Sequence, residues 1–149
     1  MVKAEFIAAG SEVSYALELA CELAAKIYLM KSGYGKTSLL DLSCDSLEEA
    51  ELLDELMWKI PKHTLLPHQL VHKGDELINI NIGYPGTVFS KKKNKSLINI
   101  SPDIPKEIDN YDYFYQMVIE DASTLRERAA VTWNACKNKG FNPEFKKWQ

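Results

Sequence analysis

Two groupings of side chains in this 149-residue chain have types and spacing that could do chemistry. The first is Gly33-Tyr34-Gly35-Lys36-Thr37, whose order suggests a phosphate cradle. Such a loop needs a longer run between its first glycine and the Gly-Lys pair, so that successive backbone N–H groups can wrap the phosphates. Here Tyr34 alone separates them. The setting is also wrong. A phosphate cradle joins a strand to the N-terminus of a helix, whereas this segment runs from a helical pattern into a strand pattern. It reads as a helix end and turn. The second grouping is His63, His68 and His72. Zinc sites use closer pairs together with cysteine or carboxylate ligands, and only Asp75 and Glu76 stand near in sequence. These histidines read as surface or partner-facing. Asp54 and Glu55 lie on a helix whose exposed side is acidic throughout, which is the pattern of a solvated face. No nucleophile-elbow, zinc-protease or dinucleotide motif is present. The expectation is no catalytic residue, no cofactor and no metal.

Composition narrows the class. The chain is 46% hydrophobic and 26% charged, the balance of a globular protein. Its length fits a single domain, taken as 1–149, that buries a core without staples. The formal net charge of −3 gives no general attraction for nucleic acid, so direct DNA contact would need a local basic patch. Cys21, Cys44 and Cys136 are far apart and make no CxxC pair. Cys21 and Cys136 fall in helical apolar patterns as buried free cysteines, which suits a reducing cytoplasm. No secretory signal is seen, and no uncharged stretch is long enough to span a bilayer.

Elements must position these residues. Residues 3–9 read as a first strand, closed by Gly10-Ser11, with Ser11 available to cap the next helix. From Val13, apolar residues recur at Ala16, Leu17, Ala20, Leu23, Ala24 and Ile27, a helical period with an alanine-rich packing face. Gly33 and Gly35 stop that helix. Residues 37–42 read as a second strand, so the chain opens with a βαβ unit whose crossover is right-handed by default. Asp45 or Ser46 caps a second helix from Leu47 to Trp58, ended by Pro61. Residues 77–80 and 97–100 alternate apolar with polar and read as two later strands. Residues 91–96 read as a polar basic turn, and 113–139 as helical, in one piece or two.

Two tryptophans do not fit the core pattern. On a wheel of about 100° per residue, Ala50, Leu53, Leu56, Met57 and Ile60 share one side of the second helix. Trp58 stands well away from them, beside Leu47, Glu51, Asp54 and Glu55. Either the chain folds back over it or a partner covers it, and tryptophan is enriched at binding hot spots. In the last helix Val118, Ala122, Leu125, Ala129 and Cys136 form the core stripe, with Trp133 at its edge beside Arg126, Ala130 and Lys137. That strip is either core flanked by solvated cations or a docking strip for an acidic peptide with an apolar end. Further cations gather at Lys91, Lys92, Lys93 and Lys95, and at Lys146 and Lys147. The turn lysines fit a protected sheet edge equally well.

These residues carry a resemblance. Leu53-Asp54-Glu55-Leu56-Met57-Trp58, then Pro61, then Leu66-Pro67-His68, resembles the most recognisable segment of the chi subunit of bacterial DNA polymerase III. Leu97-Ile98-Asn99-Ile100 and a last helix closing on Gly140-Phe141 fall in the family's order, and the likeness spans essentially the whole chain. It implies a single-domain, three-layer Rossmann-like α/β fold, with a mostly parallel central sheet of about four to five strands. It implies a non-catalytic, cytoplasmic subunit that forms a heterodimer with the psi subunit. Through psi it would join the clamp-loader complex, and a separate face would bind the acidic C-terminal tail of single-stranded-DNA-binding protein, so that DNA is reached only indirectly. Trp58, Leu65, Pro67 and His68 match the psi side. Arg126, Trp133 and Lys137 match the tail-binding helix. Ala130 and Thr132 stand where the family usually has an Arg-x-Arg pair, and Arg126-Glu127-Arg128 lies a turn earlier.

Two other classes compete. An α/β pattern alone suggests a nucleotide-dependent enzyme, but fold does not establish function and no phosphate motif survives. Direct binding of single-stranded DNA through residues 91–95 and Trp133 would show a steep salt dependence.

Overall fold

The computed structural model describes residues 2–29, 37, 39–62, 64–72, 78–121 and 124–148. The turn at 33–36, His63, Asp75, Glu76 and Ala122 lie outside the described residues. In chain order the elements are β1 (Lys3–Ala8), α1 (Val13–Tyr28), β2 (Leu39–Ser43), α2 (Leu47–Met57), β3 (His68–Leu70), β4 (Ile80–Gly83), β5 (Lys95–Asn99), a 3-10 turn (Ile108–Asn110), β6 (Tyr113–Val118), α3 (Thr124–Asn138) and β7 (Glu144–Lys147). The strands form one sheet in the order β3-β4-β2-β5-β6-β1-β7, every pair parallel. The single α/β domain and its parallel sheet are as expected, but the sheet has seven strands rather than four or five.

The extra strands have physical causes. Residues 113–118, expected to be helical, form β6 between β5 and β1. Its sequence Tyr-Phe-Tyr-Gln-Met-Val is buried on both faces, and a strand apolar on both sides loses the alternation that marks a half-exposed one. Helix α3 therefore begins only at Thr124, and Val118 belongs to the sheet. Strands β3 and β7 are short edge strands. Strand β4 starts at Ile80, later than the 77–80 expected, and β5 starts at Lys95, inside the stretch read as a turn.

The helices follow from local chemistry. Helix α1 buries Ala16, Leu17, Ala20, Leu23, Ala24 and Ile27 on the sheet, the face that the periodicity marks. Its N-cap is Glu12 without a side-chain hydrogen bond, so Ser11 is not the cap. Gly10 supplies the turn before it, with φ of 77° and the Tyr15 ring where a Cβ would sit. Helix α2 is capped by Ser46, whose Oγ accepts from the Glu49 N–H, while the Glu49 carboxylate accepts from the Asp45 N–H. It buries Ala50, Leu53 and Met57. Leu53 and Met57, both fully buried, each contribute about 1.5–3 kcal/mol.

The layers differ in kind. Helices α1 and α2 cover one face of the sheet through Leu40, Leu42, Ile80, Ile82, Ile98 and Tyr115. The other face is split. Over β6 and β1 it is apolar, with Phe6, Phe114 and Val118 packed under Ala129, Trp133 and Cys136 of α3. Over β2, β4 and β5 it is polar and covered by loops. There Lys95, read from sequence as part of an exposed turn, is 1% exposed and pairs with the fully buried Asp41 at 2.5 Å. The Tyr111 hydroxyl donates to Asp41 at 2.7 Å, and the Lys95 ammonium also donates to the Ser90 carbonyl. Asn99 donates to Gln116 across the β5–β6 register at 2.8 Å.

Candidate functional site

The C-terminal turn of α2 leads into a cis Ile60–Pro61 bond and then to β3. This corner positions the first set of residues. Trp58 is the C-cap of α2 and is 52% exposed. About half of it stays open, and its ring meets His68, with centroids 4.2 Å apart. His68, expected at the surface or facing a partner, is buried instead. Its Nδ1 lies 2.7 Å from the Leu66 carbonyl, and its Nε2 lies 3.0 Å from the Asp54 carbonyl and 3.3 Å from the Asp54 carboxylate. His68 thus ties the first strand residue after the turn to the last turns of α2 and supports Trp58 from beneath. Leu66 is fully buried, while Leu65 and Pro67 on either side of it are exposed, Leu65 at 73%. Trp58, Leu65 and Pro67 are thus exposed apolar residues of the α2–β3 connection, and Glu51 and Glu55 are exposed on α2.

The second set lies on α3. Arg126 and Lys137 are exposed, one helical strip apart from each other with Trp133 between. Trp133 is half-buried and meets Phe6 of β1 edge-on, centroids 5.0 Å apart. It belongs mostly to the core, and only its rim joins the strip. Thr132 is buried and its hydroxyl donates to the Pro102 carbonyl; Ala130 is exposed and uncharged. Arg128 is committed elsewhere. It bonds Asp103 at 2.7 and 2.9 Å and Asp45 at 3.0 and 3.3 Å, joining the loop after β5 to the loop after β2. The guanidinium holds the Asp103 carboxyl below its usual range, mainly through the hydrogen bonds.

The remaining candidates separate cleanly. His72 stacks on Tyr84 and bonds its hydroxyl at 3.0 Å. Among the described residues no group of three His, Cys, Asp or Glu side chains could hold a metal ion. Cys21, Cys44 and Cys136 are buried free thiols. Burial, the largest cause for each, pushes Cys21 up to about 12 and Cys136 up to about 11, and raises Cys44 as well. Thiols held protonated in this way are inert as nucleophiles. The basic turn keeps exposed Lys91, Lys92 and Lys93, but Lys95 is removed from it by its ion pair. Among the described residues, no helix is long and apolar enough to cross a membrane.

The two aromatic sets lie on opposite faces of the sheet. Between β3, beside Trp58, and β1, beneath Trp133, there are five strand-to-strand steps, about 24 Å at the usual strand spacing. The architecture is a Rossmann-like parallel α/β domain with surface features at both ends. The model of the DNA polymerase III chi subunit, HolC, family matches residues 1–144. The chain belongs to that family, which makes it an accessory subunit of the replicative polymerase. A comparison with curated proteins finds no match.

Proposed function

We propose that this chain is a non-catalytic, cytoplasmic adaptor that pairs with the psi subunit through the α2–β3 corner. By way of psi it would join the clamp-loader complex, while α3 would bind the acidic C-terminal tail of single-stranded-DNA-binding protein. The observation that carries the psi side is Trp58, an aromatic ring held from beneath by His68 and still 52% exposed beside exposed Leu65. A fixed aromatic with little rotamer freedom left to lose is what an interface anchor requires. Pro67 extends the apolar patch, and His68 serves by positioning Trp58.

The tail side has exposed Arg126 and Lys137 about the rim of Trp133. An acidic peptide would find two exposed cations there, with Arg128 already bonded to Asp45 and Asp103. That favours a weak, salt-sensitive contact over a deep one. The experiment is calorimetric titration of the full chain with two ligands: the psi subunit, and an acidic peptide ending in Pro-Phe. Binding of both, with Trp58→Ala losing only psi and Trp133→Ala only the peptide, is the expected result. No binding of the peptide at low salt would leave the psi role alone.

A further inference from the structure

Strand β7 lies at the edge of the sheet next to β1, and all four of its residues are exposed. Its register with β1 sets Phe145 beside Phe6 and Lys147 beside Ala8. Paired residues of neighbouring strands turn their side chains to the same face, and the face alternates along each strand. Phe6 belongs to the cluster beneath α3, and Ile7 to the cluster beneath α1. Phe145 and Lys147 therefore stand on the α3 face, and Glu144 and Lys146 on the α1 face. Lys146 is tied there to Glu5 at 2.8 Å. Phe145 keeps a ring that is 50% exposed.

The rest of this surface comes from α3. Arg128 bonds Asp45 and Asp103, and the Thr132 hydroxyl donates to the Pro102 carbonyl. These bonds fix which side of α3 looks toward β2 and β5. At about 100° per residue, Arg126, Ala130, Trp133 and Lys137 stand roughly 140–200° around the helix from Arg128. That side looks toward β1 and β7, in keeping with the contact of Trp133 on Phe6. The α3 strip and the α3 face of β7 thus open onto one surface, with buried Phe6 between them. Helix α3 starts near the end of β6 and runs back along the strands. Toward that starting end, Lys147 lies about 7 Å past Phe145. In the same direction from Trp133, Ala130 lies about 4.5 Å along the helix and Arg126 about 10.5 Å. Ala130 offers no charge there, and Lys147 supplies one at that level.

The chemistry is that of aromatic rims among cations. Arg126, Lys137 and Lys147 are exposed around Trp133 and Phe145. The acids of these two elements stand apart from the rings. Glu144 is on the α1 face of β7, and exposed Glu127 lies about 120° around α3 from Trp133. Glu120 and Asp121 lie beyond the N-terminal end of the strip, where Asp121 accepts the Arg126 N–H. Lys139 is paired with Asp109 and takes no part. An acidic chain with an aromatic end complements this arrangement.

We propose that β7 is the second wall of the acidic-peptide site: Phe145 and the rim of Trp133 take the peptide's aromatic end, and Lys147 faces its acidic residues. This rests on the reading of α3 as a tail-binding helix. The test is titration of the full chain with acetyl-Asp-Glu-Asp-Pro-Phe and with acetyl-Asp-Glu-Asp-Pro-Ala. Phe145→Ala should weaken the first by about fivefold and leave the second unchanged, because the two changes remove the same ring contact. Lys147→Glu should weaken both by about fivefold at low salt, an effect that fades as salt rises. Lys93→Glu, an equal change of charge at an exposed position between β4 and β5, should alter neither. Both β7 positions are exposed, so thermal unfolding midpoints should stay near the parent's. If the parent binds the phenylalanine peptide and neither β7 variant weakens it, the proposal falls and the α3 reading stands. If the parent binds neither peptide at low salt, both fall. Equal losses from Lys93→Glu and Lys147→Glu overturn the proposal, as does an equal loss of both peptides in Phe145→Ala. Tighter binding of an oligothymidylate than of the phenylalanine peptide overturns it as well.

Discussion

Trp58 and Trp133 both fall outside the centre of a helix's apolar stripe, Trp58 well away from it and Trp133 at its edge, and the fold uses them differently. Trp133 is wedged against Phe6 between α3 and the sheet, in a cluster with Ala129 and Cys136. Trp58 sits past the end of α2 and meets a histidine ring at a tilt of 48°. The difference lies in what supports each ring. A strand side chain supports the first, so its removal opens the core. A hydrogen-bonded histidine supports the second, so its removal bares a surface that is already half open. An aromatic residue marks a contact but does not say whether the contact lies within the chain or beyond it.

Stability should separate the two most strongly. Trp133→Ala is expected to cost about 3 kcal/mol in urea unfolding, through the cavity left against Phe6. Trp58→Ala should cost about 1 kcal/mol or less, the loss of one partly exposed ring contact. Equal losses would break the comparison and return Trp58 to the core. Binding should then reverse the ranking. Trp58→Ala should weaken psi by about 2 kcal/mol or more, roughly thirtyfold, in calorimetry. An unchanged affinity would remove the α2–β3 corner as the interface.

How far the sequence reveals these roles depends on where each residue's partner stands. The apolar stripes of α1 and α2 are legible because their period comes from contacts every three or four residues, and the buried positions fall where that period puts them. Trp58 is legible as an outlier for the same reason. Strand β6 is not, because Tyr113–Val118 is buried on both faces and carries no alternation. Lys95 reads as one of a run of turn lysines because its partner Asp41 is brought to it only by the β2–β5 pairing. His68 reads as a surface histidine because its acceptors come from Leu66 and from Asp54 in the preceding helix. Arg128 could pass for a tail-binding cation until Asp45 and Asp103 arrive from two different loops.

Arg128 sharpens the comparison on the α3 side. Its bonds lower the Asp103 carboxyl from an ordinary value of 3.8, so Asp103 stabilises the fold when ionised. That contribution is fully present above 3.8 and is lost as pH falls through the lower folded-state value. Arg128→Ala should therefore make the acid limb of the stability–pH curve shallower in that window. At neutral pH, with Asp103 exposed and Arg128 partly so, the loss should be about 1 kcal/mol or less. The Pro-Phe peptide should bind Arg128→Ala as it binds the parent chain. A large loss of peptide affinity would mean that Arg128 leaves its aspartates to serve the tail.

The smallest effects belong to Arg126 and Lys137, and they decide whether the α3 strip recognises charge at all. Both side chains are exposed, so each is screened by water and salt, and each is expected to contribute under about 1 kcal/mol to binding an acidic peptide. Arg126→Ala and Lys137→Ala should each weaken the peptide by about threefold at low salt. The parent and the variants should converge as salt rises, because screening removes the term that distinguishes them. Trp133→Ala would behave otherwise. Its loss of peptide affinity should persist at high salt, since the apolar rim of the ring does not depend on ionic strength. If the arginine and lysine variants match the parent at every salt concentration, the strip holds the peptide by its aromatic edge alone, and the likeness between the two tryptophans is closer than their burial suggests.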